Sequence, residues 1–162
     1  MMKKDFLYAT TCLAFAVIIG GAVYEHLNVV PQWTAGPPAS LSRFQGEHGL
    51  KPELFWMLIH PLNLLLFTLT LILHWHTARR KNLVTVLASY IVILIVTSIF
   101  FVPELISIIG TPFSPVPDQN LTRRAALWEV LSIVRLVVLV VLAIILFTGL
   151  TKANQKNVTA LG

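Results

Sequence analysis

Four apolar stretches, each long enough to cross a bilayer, leave this chain little choice of fold: Phe6 to Leu27, Leu54 to His74, Leu83 to Ile106 and Ala125 to Leu150. A crossing of the hydrocarbon takes about 20 such residues. Hydrocarbon offers the backbone no water to bond with, so each segment has to satisfy its own N–H and C=O groups, which an α-helix does. The expected fold is all-α, a polytopic membrane protein with four transmembrane helices in an antiparallel bundle. The stretches fill more than half of the chain, leaving no room for a separate soluble domain, so 1–162 reads as a single membrane domain. Composition agrees, with 56% hydrophobic and 12% charged residues, against about 25% charged in soluble domains. The first stretch follows Lys3 and Lys4, as a secretory signal would. Its apolar run is longer than a signal core and no small-x-small cleavage site follows, so it is expected to stay as a helix.

Orientation follows from the bias of Lys and Arg in the short connections. Lys3, Lys4, Arg79, Arg80, Lys81, Lys152 and Lys156 fall on one side; Arg43, Lys51, Arg123 and Arg124 fall on the other. Seven against four places both termini in the cytoplasm, with the protein integral to the plasma (inner) membrane. The net charge of +5 reflects that topology and contact with the membrane surface. No basic cluster interleaved with aromatics points to nucleic acid, and the lone Cys12 excludes an internal disulfide or a CxxC redox centre.

The connections are unequal. The second and third helices are joined by a tight hairpin around Ala78–Asn82, whereas the outer loops, 28–53 and 107–124, are long and rich in Pro and Gly. Loops of that length in compact proteins are functional lids or disordered. Trp33, Leu41, Phe44 and Phe113 among the prolines favour ordered lids over the outer end.

Ionisable residues inside apolar runs mark where function lies, because charge in hydrocarbon is costly and faces a bundle interior or a partner. Five stand out: Glu25, His60, Glu104, Glu129 and Arg135. Each helix carries a seam at steps of three, four or seven. The seams are Thr11, Ala14, Ile18, Gly21 and Glu25; His60, Asn63, Phe67, Thr70 and His74; Tyr90, Thr97 and Glu104; and Glu129, Ser132 and Arg135. Helix direction puts Glu25, His60, Glu104 and Glu129 in the outer half and Arg135 near the midplane, and side chains lean toward their helix N-termini, so the two sets are expected to converge. Arg135 reaches the carboxylates by snorkelling. His26 and His48 can join from above, while His74 and His76 read as interfacial anchors.

Carboxylates and an imidazole around one cavity are the donors of a divalent metal such as Fe, Mn or Zn. Glu25, His60, Glu104 and Glu129 are the expected metal ligands. His60, Glu104, Glu129 and Arg135 are the expected catalytic groups, and Asn63 and His26 would hold or orient a cofactor or substrate. A structural ion pair of Arg135 with Glu129 or Glu104 fits the same residues equally well.

The run Gly20-Gly21-Ala22-Val23-Tyr24-Glu25-His26, with Val30-Pro31-Gln32-Trp33, His60-Pro61, Phe100-Phe101-Val102-Pro103-Glu104 and Trp128-Glu129 through Arg135, resembles a group of uncharacterised bacterial four-helix integral membrane proteins. The four-helix layout with a long first outer loop resembles, more distantly, the anthrone oxygenase-like membrane family, and that likeness implies oxidation of a small molecule. Three classes of function fit. One is a metal- or cofactor-assisted membrane oxidoreductase acting on a small lipophilic molecule. The second is a solute-binding or transport protein, and the third a structural subunit of a homo-oligomer or membrane complex.

Overall fold

The computed structural model describes residues 2–47 and 49–152. His48 and Lys156, invoked above for the lid and for the charge bias, lie outside the described residues. Helix α1 spans Met2–Asn28. One residue later α2, Val30–Thr34, carries it on, with Pro31 in its first turn, where a missing N–H costs nothing. A 3-10 turn at Ala39–Arg43 leads toward α3, Glu53–Leu73. Helix α4, Arg80–Val96, passes through a π turn at Thr97–Phe101 into α5, Val102–Ile109. Pro103 explains the π turn, because it cannot donate to the carbonyl four residues earlier and its ring crowds that position. Helix α6 spans Gln119–Thr148. The Asp118 carboxylate starts it by accepting the Leu121 N–H at 2.7 Å, the usual role of an N-cap aspartate.

Four rods, at Lys3–Thr34, Glu53–Leu73, Arg80–Ile109 and Gln119–Thr148, are long and apolar enough to cross a membrane. No strand occurs among the described residues. Helix α1 packs on α3 and α6, and α4 packs on α6 and α3, which closes a ring of neighbours. Outside it lies a nearly continuous apolar surface that includes Leu13, Leu58, Ile99 and Val137. In water such a surface aggregates; in hydrocarbon it is the natural exterior.

Two apolar clusters fill the inside. The larger joins Tyr8, Phe15, Phe67, Tyr90, Leu139 and Leu146. Phe15 sits edge-on to Phe67 and Tyr90, with ring centroids 5.5 and 5.4 Å away. The smaller caps the opposite end of the bundle and joins Val30, Trp33, Leu41, Phe101, Ile108 and Trp128. Because α2 and α5 extend beyond the hydropathy limits of their helices, the first long loop packs as an ordered lid. The Ser40 hydroxyl donates to the Trp33 carbonyl at 2.6 Å, and Gln45 donates to the Ile109 and Thr111 carbonyls at 3.1 and 2.7 Å. The Asp118 N–H reaches the Pro37 carbonyl at 2.9 Å and ties the two loops together. Phe113, expected in the lid, is instead 60% exposed.

The other end is clasped by Arg79, next to the hairpin. It pairs with Asp5 at 2.5 Å, donates to the Lys152 and Leu150 carbonyls at 3.3 and 3.4 Å, and lies 5.2 Å from the Tyr8 ring centroid. Asn82 donates to the Ile145 carbonyl at 2.6 Å and accepts the Lys152 ammonium at 2.6 Å. His74 is fully buried here, edge-on to Tyr8 and 3.3 Å from the Lys4 carbonyl. It is part of the clasp rather than an interfacial anchor; His76 remains exposed.

Candidate functional site

Along α1, α4 and α6 the polar residues fall between the two apolar clusters, so they form a layer inside the lid half of the bundle. Its centre is His60. The ring Nδ1 is 2.7 Å from the Tyr90 hydroxyl, and one face stacks on Trp56, 5.4 Å between centroids at 21°. Trp56 in turn donates its indole N–H to Glu25 Oε1 at 2.8 Å. The close approach depends on Gly21. A Cβ there would come within 2.7 and 2.9 Å of the Phe55 ring and 3.5 Å of Trp56. The small-residue seam of α1 therefore does what helices in lipid use it for, letting the aromatics of α3 reach Glu25.

One turn below His60, Asn63 is completely buried and donates to the Ala14 carbonyl of α1 at 3.0 Å. Its Oδ1 has no hydrogen-bond partner among the described residues. Neither has Nε2 of His26, whose Nδ1 lies 2.7 Å from the Ala22 carbonyl. A ring nitrogen facing a carbonyl must carry the proton, so Nδ1 of His26 is the donor to Ala22. Deeper still, the Thr11 and Thr70 hydroxyls share a hydrogen bond at 2.7 Å.

On α6, Arg135 donates to the Ser132 hydroxyl at 2.9 Å and to Thr97 at 3.1 Å, with Phe101 4.2 Å from its guanidinium carbon. It thus grips both ends of the π turn. The arm leans toward the lid, as snorkelling requires, yet it makes no ion pair with Glu129 or Glu104. Six residues separate Glu129 from Arg135, which puts them about 120° apart on the helix. Glu129 instead accepts the Thr34 hydroxyl at 2.8 Å.

Glu104 leaves the layer altogether. It forms a two-pronged pair with Arg124 at 2.7 and 3.0 Å near the lid rim, where Arg124 also bonds Ser107. The seven-residue spacing from Tyr90 through Thr97 to Glu104 crosses the π turn, whose extra residue rotates everything after it. The expected ligand set of Glu25, His60, Glu104 and Glu129 is therefore not brought together. Among the described residues no three His, Cys, Asp or Glu side chains are grouped to hold a metal, whereas zinc sites take at least three protein ligands. The described residues do not fit an Fe, Mn or Zn site.

Trp56, Arg124 and Thr34 escape the sequence reading. Trp56 goes unremarked in the sequence reading, although its four-residue spacing from His60 puts the rings on one face. The arrangement defines a class: a four-helix, membrane-type bundle with a half-buried histidine on a buried tyrosine, a half-buried carboxylate and a buried, unpaired amide oxygen beneath an ordered lid. No protein-family model, curated protein or solved structure matches the chain; what stands is the four-helix layout with spans of membrane-crossing length.

Proposed function

We propose that this is an integral protein of the inner membrane, both ends cytoplasmic, that binds a small lipophilic molecule in the polar layer and exchanges a proton with it. The observation that carries the reading is the His60–Tyr90 hydrogen bond, 2.7 Å long, inside a transmembrane bundle. A hydroxyl and an imidazole in contact form an acid–base pair. No residue described here engages the other nitrogen of His60, which leaves it for a ligand. Asn63 Oδ1, buried and unpaired, supplies an acceptor for a ligand hydroxyl, and Trp56, held by Glu25, fixes the ring of His60. The pair suits the proton half of an oxidoreduction of a phenol- or quinone-like molecule, with a separate redox partner of the membrane supplying or taking the electrons. An electron moved in a low-dielectric interior leaves an unbalanced charge unless a proton moves with it.

The test is solvent extraction and mass spectrometry of the detergent-purified protein, with its absorption spectrum and elemental content, beside His60→Ala and Tyr90→Phe. The expected result is a lipophilic molecule at near one per chain in the wild type, depleted in both variants with helicity retained. Equal content in all three, or none in any, would reduce the polar layer to a structural network and favour a subunit of a larger complex.

A further inference from the structure

We propose that the rim of the hairpin end binds the phosphate of an anionic phospholipid, with Arg80, where it lies over Trp75, as the anchor. The site rests on the membrane-spanning reading of the chain and not on the His60 layer. Six cations stand at this end: Lys3, Lys4, Arg79, Arg80, Lys81 and Lys152. The one acid beside them is Asp5, and Arg79 takes it at 2.5 Å. The Lys152 ammonium has a neutral partner, the Asn82 amide oxygen at 2.6 Å. Lys3, Lys4, Arg80 and Lys81 are exposed and make no ion pair among the described residues. The rest of the described chain sets five cations against six acids, so the excess charge is concentrated here.

Topology explains why cations lie on this side but not why they gather. The Lys4 carbonyl is 3.3 Å from His74 and Asp5 meets Arg79, so the first turn of α1 lies against the hairpin that carries Trp75, Arg80 and Lys81. Both helices also begin with cations at the positive ends of their dipoles, where such charges are disfavoured, and α4 has no acid in its first turn to offset them. The Arg80 guanidinium sits 5.3 Å from the Trp75 ring centroid, which restricts its arm before any anion arrives. Its planar fork suits two oxygens of a phosphate diester, and the lysines add charge around it. The clasp beneath is closed; the site lies on its exposed rim.

The apolar surface beside the cations makes the anion a lipid. Phe6 follows the two lysines and is 75% exposed; Ile72 and Leu73 precede Trp75 and are 64% and 41% exposed. Where helices end in the headgroup layer, basic residues meet phosphates and the turn next to them meets acyl chains. A phosphatidylglycerol held at Arg80 engages both surfaces at once, whereas a free phosphate engages one.

Native mass spectrometry of the full chain in mild detergent, titrated with dioleoyl-phosphatidylglycerol, tests this. A first adduct is expected to form about tenfold or more tighter than with dioleoyl-phosphatidylcholine. Removing charges in pairs, Arg80→Gln with Lys81→Gln or Lys3→Gln with Lys4→Gln, should weaken it about tenfold or more, and Trp75→Leu about threefold. The pair Lys51→Gln with Arg123→Gln, at the lid end, should leave it unchanged. Every one of these side chains is exposed, so the variants should fold. Equal affinity for phosphatidylcholine, or an equal loss in the lid-end pair, would overturn the site, and displacement by inorganic phosphate at matched concentration would overturn the lipid. An alkaline carbonate wash of reconstituted vesicles checks the spanning reading by itself. A chain washed off would sink that reading, whereas a retained chain without preference for phosphatidylglycerol would sink the site alone.

Discussion

At the hairpin end, Arg79, Asn82, Tyr8, His74 and Lys152 bond one another and the last carbonyls of α6, and no buried polar side-chain atom there lacks a partner among the described residues. From mid-bundle to the lid the same kinds of residue have capacity to spare: among the described residues Asn63 Oδ1 and His26 Nε2 are buried and unpaired, and half-buried Arg135 makes no ion pair. A closed network stabilises the fold. An open one costs stability, since an unpaired buried group forfeits about 1–3 kcal/mol, and it persists where a ligand completes it. The contrast separates scaffold from site better than charge alone, because both regions hold an arginine and a histidine, buried in the clasp and half-buried in the lid half.

Substitutions at matched residue types put that contrast at risk. Arg79→Ala has the largest expected effect, about 3 kcal/mol, because two carbonyl bonds, the Tyr8 contact and the Asp5 pair go together. Asp5 is 38% exposed in its side chain, so the carbonyl bonds contribute more than the ion pair. Unfolding in mild detergent reads the loss; a change below about 1 kcal/mol would mean that the clasp is not a scaffold.

The two asparagines are a sharper pair. Asn82→Leu removes bonds that use both ends of its amide and should cost about 2 kcal/mol. Asn63→Leu loses the bond to Ala14 but also an unpaired oxygen, so its stability should stay within about 1 kcal/mol of wild type while ligand retention falls. Equal losses at both positions would erase the distinction.

Glycines give a smaller pair. At Gly149 a Cβ would strike the Tyr8 hydroxyl and come within 3.0 Å of the Leu146 carbonyl, the acceptor of the Tyr8 bond. Gly149→Ala is expected to cost about 1–2 kcal/mol. Gly21→Ala meets only the ring edges of Phe55 and Trp56, the far ends of side chains, and should cost under about 1 kcal/mol. Its signature is optical: Trp56 withdraws from Glu25 and its emission shifts. An unshifted spectrum would show that Gly21 does not position the site.

The membrane-type, four-helix fold was legible because apolar runs of this length leave hydrocarbon few alternatives. Within each helix the seams also read correctly, as buried Thr11, Asn63, Thr70, Tyr90 and Ser132 show. What failed was extrapolation across a break in helical phase. Tyr90 and Glu104 share a heptad face only on an uninterrupted α-helix, and the π turn before Pro103 removes that condition. The partners Arg124 and Thr34 were hidden for a different reason. Hydropathy ends a helix where polarity begins, so residues 119–124 and 30–34 were assigned to loops, yet they are helical and carry the side chains that capture Glu104 and Glu129.

The mildest expected effect is a dependence on pH confined to the clasp. Burial of its neutral ring pushes His74 below the ordinary histidine value of 6.5, and the charges of Arg79 and Lys4 push the same way, against the Lys4 carbonyl and Asp5. The unfolded chain therefore binds its proton at higher pH than the folded one. The contribution to stability is complete above pH 6.5 and is lost as the pH falls from there through the folded value. Hydrogen exchange, corrected for intrinsic rates, should show the amides around Lys4–Tyr8 and Leu73–Thr77 opening more often at pH 5.5 than at 7.5, and His74→Gln should flatten the difference. Opening that appeared equally at the lid, or that survived in His74→Gln, would place the sensitivity outside the clasp and leave the two ends of the bundle alike in their response to acid.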